Sequence, residues 1–243
     1  MDKQNYFMFN GVSSADMGLV IERVPNWTTA RKKVETYSIP GRSGDLHQWD
    51  GSYENYQQSY RCWFQADPVP EQLHKIAAWL QDAPFSCRLE DSYDEGVYHL
   101  ASYLGGNSIE SITQGLARFT VTFDVAAPAY LAALEGFKMT SGGLINNPTG
   151  RDALPLFELT GSVSGLLKVG DSILTILFPG TDTHTIYVDC ELREAWEVVD
   201  GVETFTNTAI YRNEYPKIAP GTNKIEITGG IDTVRVWPRW WKL

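Results

Sequence analysis

Apolar and polar positions alternate along much of this chain. Phe119, Val121, Phe123 and Val125 alternate with Thr120, Thr122 and Asp124, the pattern of a strand with one buried face. Tyr56, Tyr60, Cys62 and Phe64 share one face of another. Near the carboxyl end, Pro220-Gly221-Thr222-Asn223 predicts a turn that opens the strand Lys224 to Thr228. Gly229-Gly230 predicts a second turn, and Thr233 to Trp237 a second strand, so Pro220 to Leu243 is expected to close the edge of a sheet. One segment has a different period. Leu73, Ile76, Ala77 and Leu80 recur at helical spacing, with Asp67 as the expected cap and Asp82-Ala83-Pro84 as the stop.

The remaining first half reads as strands. Tyr6 to Phe9 and Gly18 to Val24 flank the turn signal Asn10-Gly11. Lys33 to Ile39 is extended in character. Gly41 to Asn55 is polar and punctuated by glycine, and predicts a loop. Phe85 to Leu89, Val97 to Leu104 and Leu116 to Val125 follow as strands, with Gly105-Gly106-Asn107-Ser108 between two of them. Composition breaks over Pro128 to Gly150, which places a domain boundary near residue 140. Leu154 to Thr160, Ser172 to Phe178, Thr185 to Cys190 and Glu194 to Val199 are strands of the second half. Asp200-Gly201 joins Trp196 to Val199 with Val202 to Phe205 as a hairpin. Short strands at regular spacing predict a sandwich there.

At 243 residues and 43% hydrophobic content, each half holds enough apolar material for a core. The net charge of −10 argues against a phosphate-binding surface, because nucleic-acid affinity rests on neutralising phosphates with Lys and Arg. Cys62, Cys87 and Cys190 are odd in number and far apart, so buried thiols are expected rather than a disulfide framework or zinc site. No apolar h-region follows Met1-Asp2-Lys3-Gln4-Asn5, and no run approaches the ~18 apolar residues of a membrane span. Synthesis in the cytosol without membrane insertion is the expectation.

Chemistry is sparse. His47, His74, His99 and His184 are dispersed and form no metal-binding spacing. There is no GxSxG elbow, and Gly41-Arg42-Ser43-Gly44 lacks the spacing of a phosphate cradle. Glu90, Asp91, Asp94 and Glu95 could supply a carboxylate pair, but more simply bend the chain between two strands. No enzyme activity and no cofactor are expected. Trp237, Trp240 and Trp241, beside Arg239, are candidates for terminal packing, for a protein interface, or for sugar stacking.

Taken in order, these residues resemble the distal tail protein (Dit) family of siphophage tail tips. Phe7 to Ile21 resembles the family's opening hairpin. Pro40-Gly41-Arg42-Ser43-Gly44-Asp45-Leu46 with Asp50-Gly51-Ser52-Tyr53-Glu54-Asn55 resembles its next block. Asn147 to Gly150 with Pro155 resembles the start of its second domain. Asp189-Cys190-Glu191-Leu192, Tyr215-Pro216 and Pro220 to Ile225 resemble its ending.

The resemblance implies a mainly β protein. Residues 1–140 would be a β-rich, ring-forming domain with one helix and an extended β-hairpin, and 141–243 a galectin-like β-sandwich. Arg42, Asp45, Trp49 and Asp50 would sit in a loop of the ring domain. It implies a homo-hexameric ring at the virion tail tip that contacts the tail tube protein, the tail-associated hub or lysin protein and often receptor-binding proteins. The alternative is a carbohydrate-binding protein that recognises host cell-wall sugar, although 141–243 leaves no room for a module beyond one sandwich.

Overall fold

The structure is a computed structural model that describes all residues except 1–4, 107, 108, 114, 133–135, 181 and 200, and the side chains of 109–113. Asn107-Ser108, Asp200 and most of the Met1 to Asn5 segment therefore lie outside the described residues. The chain is mainly β and divides into two compact units, the first ending at Tyr130 and the second running from Leu131 to Lys242.

The first unit contains β1 (Phe7–Phe9), β2 (Val12–Ser13), β3 (Val20–Ile21), β4 (Lys32–Tyr37), β5 (Leu46–Tyr53), β6 (Tyr56–Gln65), α1 (Val69–Gln81), β7 (Cys87–Asp91), β8 (Val97–Tyr103), β9 (Ile109–Thr113) and β10 (Leu116–Leu131). Its main sheet runs β2-β1-β7-β8-β10-β6-β3, with β9 beside β10. The alternation of β10 explains its central place. Ala117, Phe119, Val121, Phe123 and Val125 are buried, while Arg118, Thr120, Thr122 and Asp124 leave from the other face. Phe119 pairs with Cys62 and Val121 with Tyr60, so β6 and β10 bury matching faces.

Helix α1 covers that apolar face with Ile76 and Leu80, which are buried, and Leu73, which is partly so. His74 is exposed, as its place between core positions predicts. The expected Asp67 cap is not formed. Pro68 is the N-cap, with no side-chain hydrogen bond, and Pro70 in the first turn has no N–H to satisfy. Phe7 stacks on Tyr60 at 4.7 Å, and the Tyr60 hydroxyl donates to Asp91 at 2.8 Å. Asp91 also accepts the amides of Tyr93 and Asp94, so the acidic segment is a turn between β7 and β8. At Asn10-Gly11 the partner of β1 is the adjacent Val12–Ser13, and Val20–Ile21 pairs with β6 instead.

The second unit contains β11 (Phe137–Met139), β12 (Gly143–Asn147), β13 (Leu156–Val169), β14 (Ser172–Ile176), β15 (His184–Asp189), β16 (Glu194–Val199), β17 (Val202–Phe205), β18 (Ile210–Arg212) and β19 (Gly221–Trp237). Two long strands build its sandwich. The first half of β13 pairs with β15 and the end of β19, and its second half with β14 and the start of β19. Between the halves the register shifts, which lets both strands bend as the sheet curls.

Glycines permit the bend. A Cβ on Gly161 would stand 2.1 Å from the Gly230 carbonyl oxygen, and one on Gly230 2.2 Å from a Val163 methyl. Gly229-Gly230 is thus a bend in one continuous strand, where the sequence predicts a turn between two. Nor does β19 form an edge: β11 and β12 flank it on one side and β13 on the other. Phe157, Leu159, Leu167, Val234 and Val236 fill the space between the layers. The hairpin of β16 and β17 pairs Val199 with Val202. All three cysteines are buried thiols, and burial pushes Cys62 up to about 12.

Candidate functional site

One element of the first unit belongs to neither sheet. Among the described residues β4 and β5 pair only with each other, and every residue from 31 to 52 is exposed. Val34 faces Trp49, Glu35 faces Gln48, Thr36 faces His47 and Tyr37 faces Leu46. Cross-strand pairing therefore puts Val34 with Trp49 on one side and Tyr37 with Leu46 on the other. The predicted loop from Gly41 to Asn55 is largely strand β5. Its polarity misleads because neither face is buried, so no apolar period is required of it. At roughly 3.4 Å per residue, the eight residues of β5 reach about 27 Å.

Local contacts shape this arm. Glu54 N–H donates to the Arg31 carbonyl at its base, and Arg42 N–H to the Ile39 carbonyl at its tip. Gly41 and Gly44 turn the tip with positive φ of 81° and 84°. Arg42 and Asp45 stand there, while Trp49 and Asp50 lie on β5 itself. The Trp49 ring N–H donates to the Ser52 carbonyl at 2.6 Å, and the Lys32 ammonium lies 4.5 Å from the ring centre. Asp50 accepts the Ser52 hydroxyl at 2.6 Å and its amide at 2.8 Å, which holds the Asp50 carboxyl below its ordinary value. The Tyr37 hydroxyl donates to Glu35, and that bond pushes the phenol up.

These contacts cover the arm's apolar side chains only in part. Trp27 is 67% exposed, and Val34, Tyr37, Ile39, Leu46 and Trp49 are each 40% exposed or more. An isolated two-stranded hairpin is marginal in water. Each Val, Ile or Leu left partly uncovered forgoes a part of the about 1.5–3 kcal/mol that full burial contributes. The arm thus leaves apolar surface uncovered by its own unit.

The terminal cluster is arranged the other way. Trp240 is 5% exposed and sits in the sandwich core. Arg239, at φ 54°, grips Asp189 with both terminal nitrogens, at 2.8 and 2.6 Å, and reaches Glu191 at 3.2 Å. Burial pushes the Asp189 carboxyl up, but the Arg239 guanidinium and the amides of Leu192 and Glu191 outweigh it and hold it below its ordinary value. The Trp241 ring N–H donates to the Asp152 carbonyl at 2.9 Å, with Arg151 over the ring. Trp237 is half-buried, with Arg235 over its ring. These contacts pack the terminus onto the sandwich and leave Trp240 almost no surface to offer a partner.

Sequence reading missed two exposed residues. Phe85 and Leu104 were expected inside strands, but β7 starts at Cys87 and β8 ends at Tyr103. Both therefore fall just outside the sheet, 76% and 67% exposed. The cue was Pro84 before one and Gly105 after the other, since both residues interrupt strands.

No family model matches this chain, and no curated protein sequence does. Solved structures do. The Dit protein of phage SPP1, presented as a paradigm of the hub adsorption apparatus in phages that infect Gram-positive bacteria, superposes with a TM-score of 0.68 at 12% identity, over 96% of this chain and 98% of that one. The baseplate of phage P2 in its activated conformation with calcium gives 0.57 at 8% identity, over 96% and 98%. The strontium form gives 0.56 at 8%, over 96% and 97%. The fold of this chain, through both units, is the fold of those proteins.

Proposed function

We propose that this chain is a structural subunit of a siphophage tail tip, a distal tail protein of the Dit kind that works as a ring of copies. The observation that carries the reading is the uncovered β4–β5 arm, in a chain that shares the Dit fold along nearly its whole length. Six copies would surround the tail channel. Residues 1–140 would build the ring and 141–243 the outer sandwich. The tail tube protein and the tail-associated hub or lysin protein would meet the ring, with receptor-binding proteins outside it. The chain would be made in the host cytoplasm and end in the virion.

A channel wall must let DNA pass without holding it. The uncovered face of β6 and β10 fits that demand. Arg61 and Arg118 both pair with Glu22, the first at 2.9 Å, and on β7 of the same sheet Arg88 pairs with Glu90 at 2.6 Å. Those cations are partnered by carboxylates and have little to offer a phosphate. The chain's charge of −10 acts in the same direction.

Native mass spectrometry of the full chain at high concentration tests the reading. A species of about six 27.3 kDa chains is expected, with an open centre in negative-stain images. A strictly monomeric chain, with no ring in assembled particles, would overturn it.

A further inference from the structure

The first unit also carries an uncovered apolar hollow, lined by residues outside the arm. The end of α1 and the ends of β7 and β8 enclose a groove of about 420 Å³, lined by Gln81, Ala83, Pro84, Phe85, Tyr103 and Leu104. Phe85 and Leu104 are among the most exposed apolar residues of the unit. We propose that this groove seats the arm tip of a second copy, with Tyr37, Ile39 and Leu46 against Phe85 and Leu104. The proposal rests on the ring reading and deepens it by naming the receiving surface.

Three observations select a second copy as the occupant. The arm tip and the groove are both apolar and both uncovered within one unit. A protruding patch and a hollow at different places on one molecule make a head-to-tail contact, the kind that closes rings when the rotation permits. Their charges also complement each other. Arg42 stands at the tip between Ile39 and Leu46. The groove opens at the C-terminal end of α1, where Asp82 lies between Gln81 and Ala83 and the last turn has no basic residue. The exposed carbonyls of a helix end are partially negative and favour a cation there.

Cross-linking tests the seat in the full chain. Leu46→Cys and Leu104→Cys are made as separate proteins, mixed and treated with a short bismaleimide; the three native thiols are buried. A covalent two-chain product is expected from the mixture and from neither variant alone. Rings seen by native mass spectrometry without that product would overturn the seat and leave the ring reading standing. A chain monomeric at every concentration, with no ring in assembled particles, would overturn both. As a second arm, Leu104→Glu is expected to weaken association at least tenfold with the urea midpoint unmoved. Unchanged association overturns the seat.

Discussion

Trp49 and Trp240 lie in opposite circumstances. Both follow polar neighbours and both stand beside a cation in the chain or in space. Trp240 is sealed in a core between two layers, 5% exposed, behind an Arg239–Asp189 clamp. Trp49 lies on a hairpin outside the main sheet, 40% exposed, with Lys32 over its ring and Tyr53 edge-on to it. The same residue type is therefore buried in the core of one unit and left partly exposed in the other. What separates them is the number of neighbouring strands and layers, not the local sequence.

Alanine at the two positions should split cleanly. Trp240→Ala is expected to cost the second unit about 3–5 kcal/mol, because a large buried ring leaves a cavity. Urea unfolding followed by fluorescence would show it, and a loss under about 1 kcal/mol would mean that Trp240 does not anchor the core.

The clamp behind it comes next. Arg239→Ala leaves Asp189, 1% exposed, without its cation, and a cost of about 2–3 kcal/mol is expected. The pH dependence carries a sign. The folded Asp189 carboxyl sits below its unfolded value, so its contribution is full above about pH 4 and is lost as pH falls through the lower folded value. Without Arg239 the folded carboxyl moves up toward its unfolded value, so the part of the acid loss that Asp189 contributes should shrink. Identical acid limbs for the two proteins would show that the clamp does not set it.

Gly161→Ala places a methyl against the Gly230 carbonyl where the strands bend, and about 1–3 kcal/mol of overpacking is expected in the second unit alone. A neutral result would show that the bend is looser than its geometry indicates. Trp49→Ala should change unfolding by less than about 0.5 kcal/mol, as surface changes usually do, yet lower the ring fraction in native mass spectrometry. If stability falls and association does not, the arm is a packed element and the contrast with Trp240 collapses.

The helix, the alternation of β10 and the acidic turn from Glu90-Asp91 to Asp94-Glu95 were all legible from the chain, because each has a short-range cause. The arm was half legible. β4 reads as extended, but β5 looks like a loop, since a hairpin with both faces in solvent carries no apolar period. The terminal glycines were misread for a related reason. Gly229-Gly230 looks like a turn in isolation. It is a bend only because Gly161 and Val163 lie against it, some sixty-odd residues earlier in the chain.

By itself, then, the amino-acid order determined what depends on neighbours within a few positions: a mainly β chain, one amphipathic helix, the hairpin turns and the absence of a spaced catalytic motif. Burial is set by contacts between distant segments. Only the tertiary structure decided that β19 is a central strand and not an edge, that Trp240 and Arg239 are spent on packing, and that the arm stands clear of its own unit. A tryptophan's place in the sequence does not reveal which layers close over it.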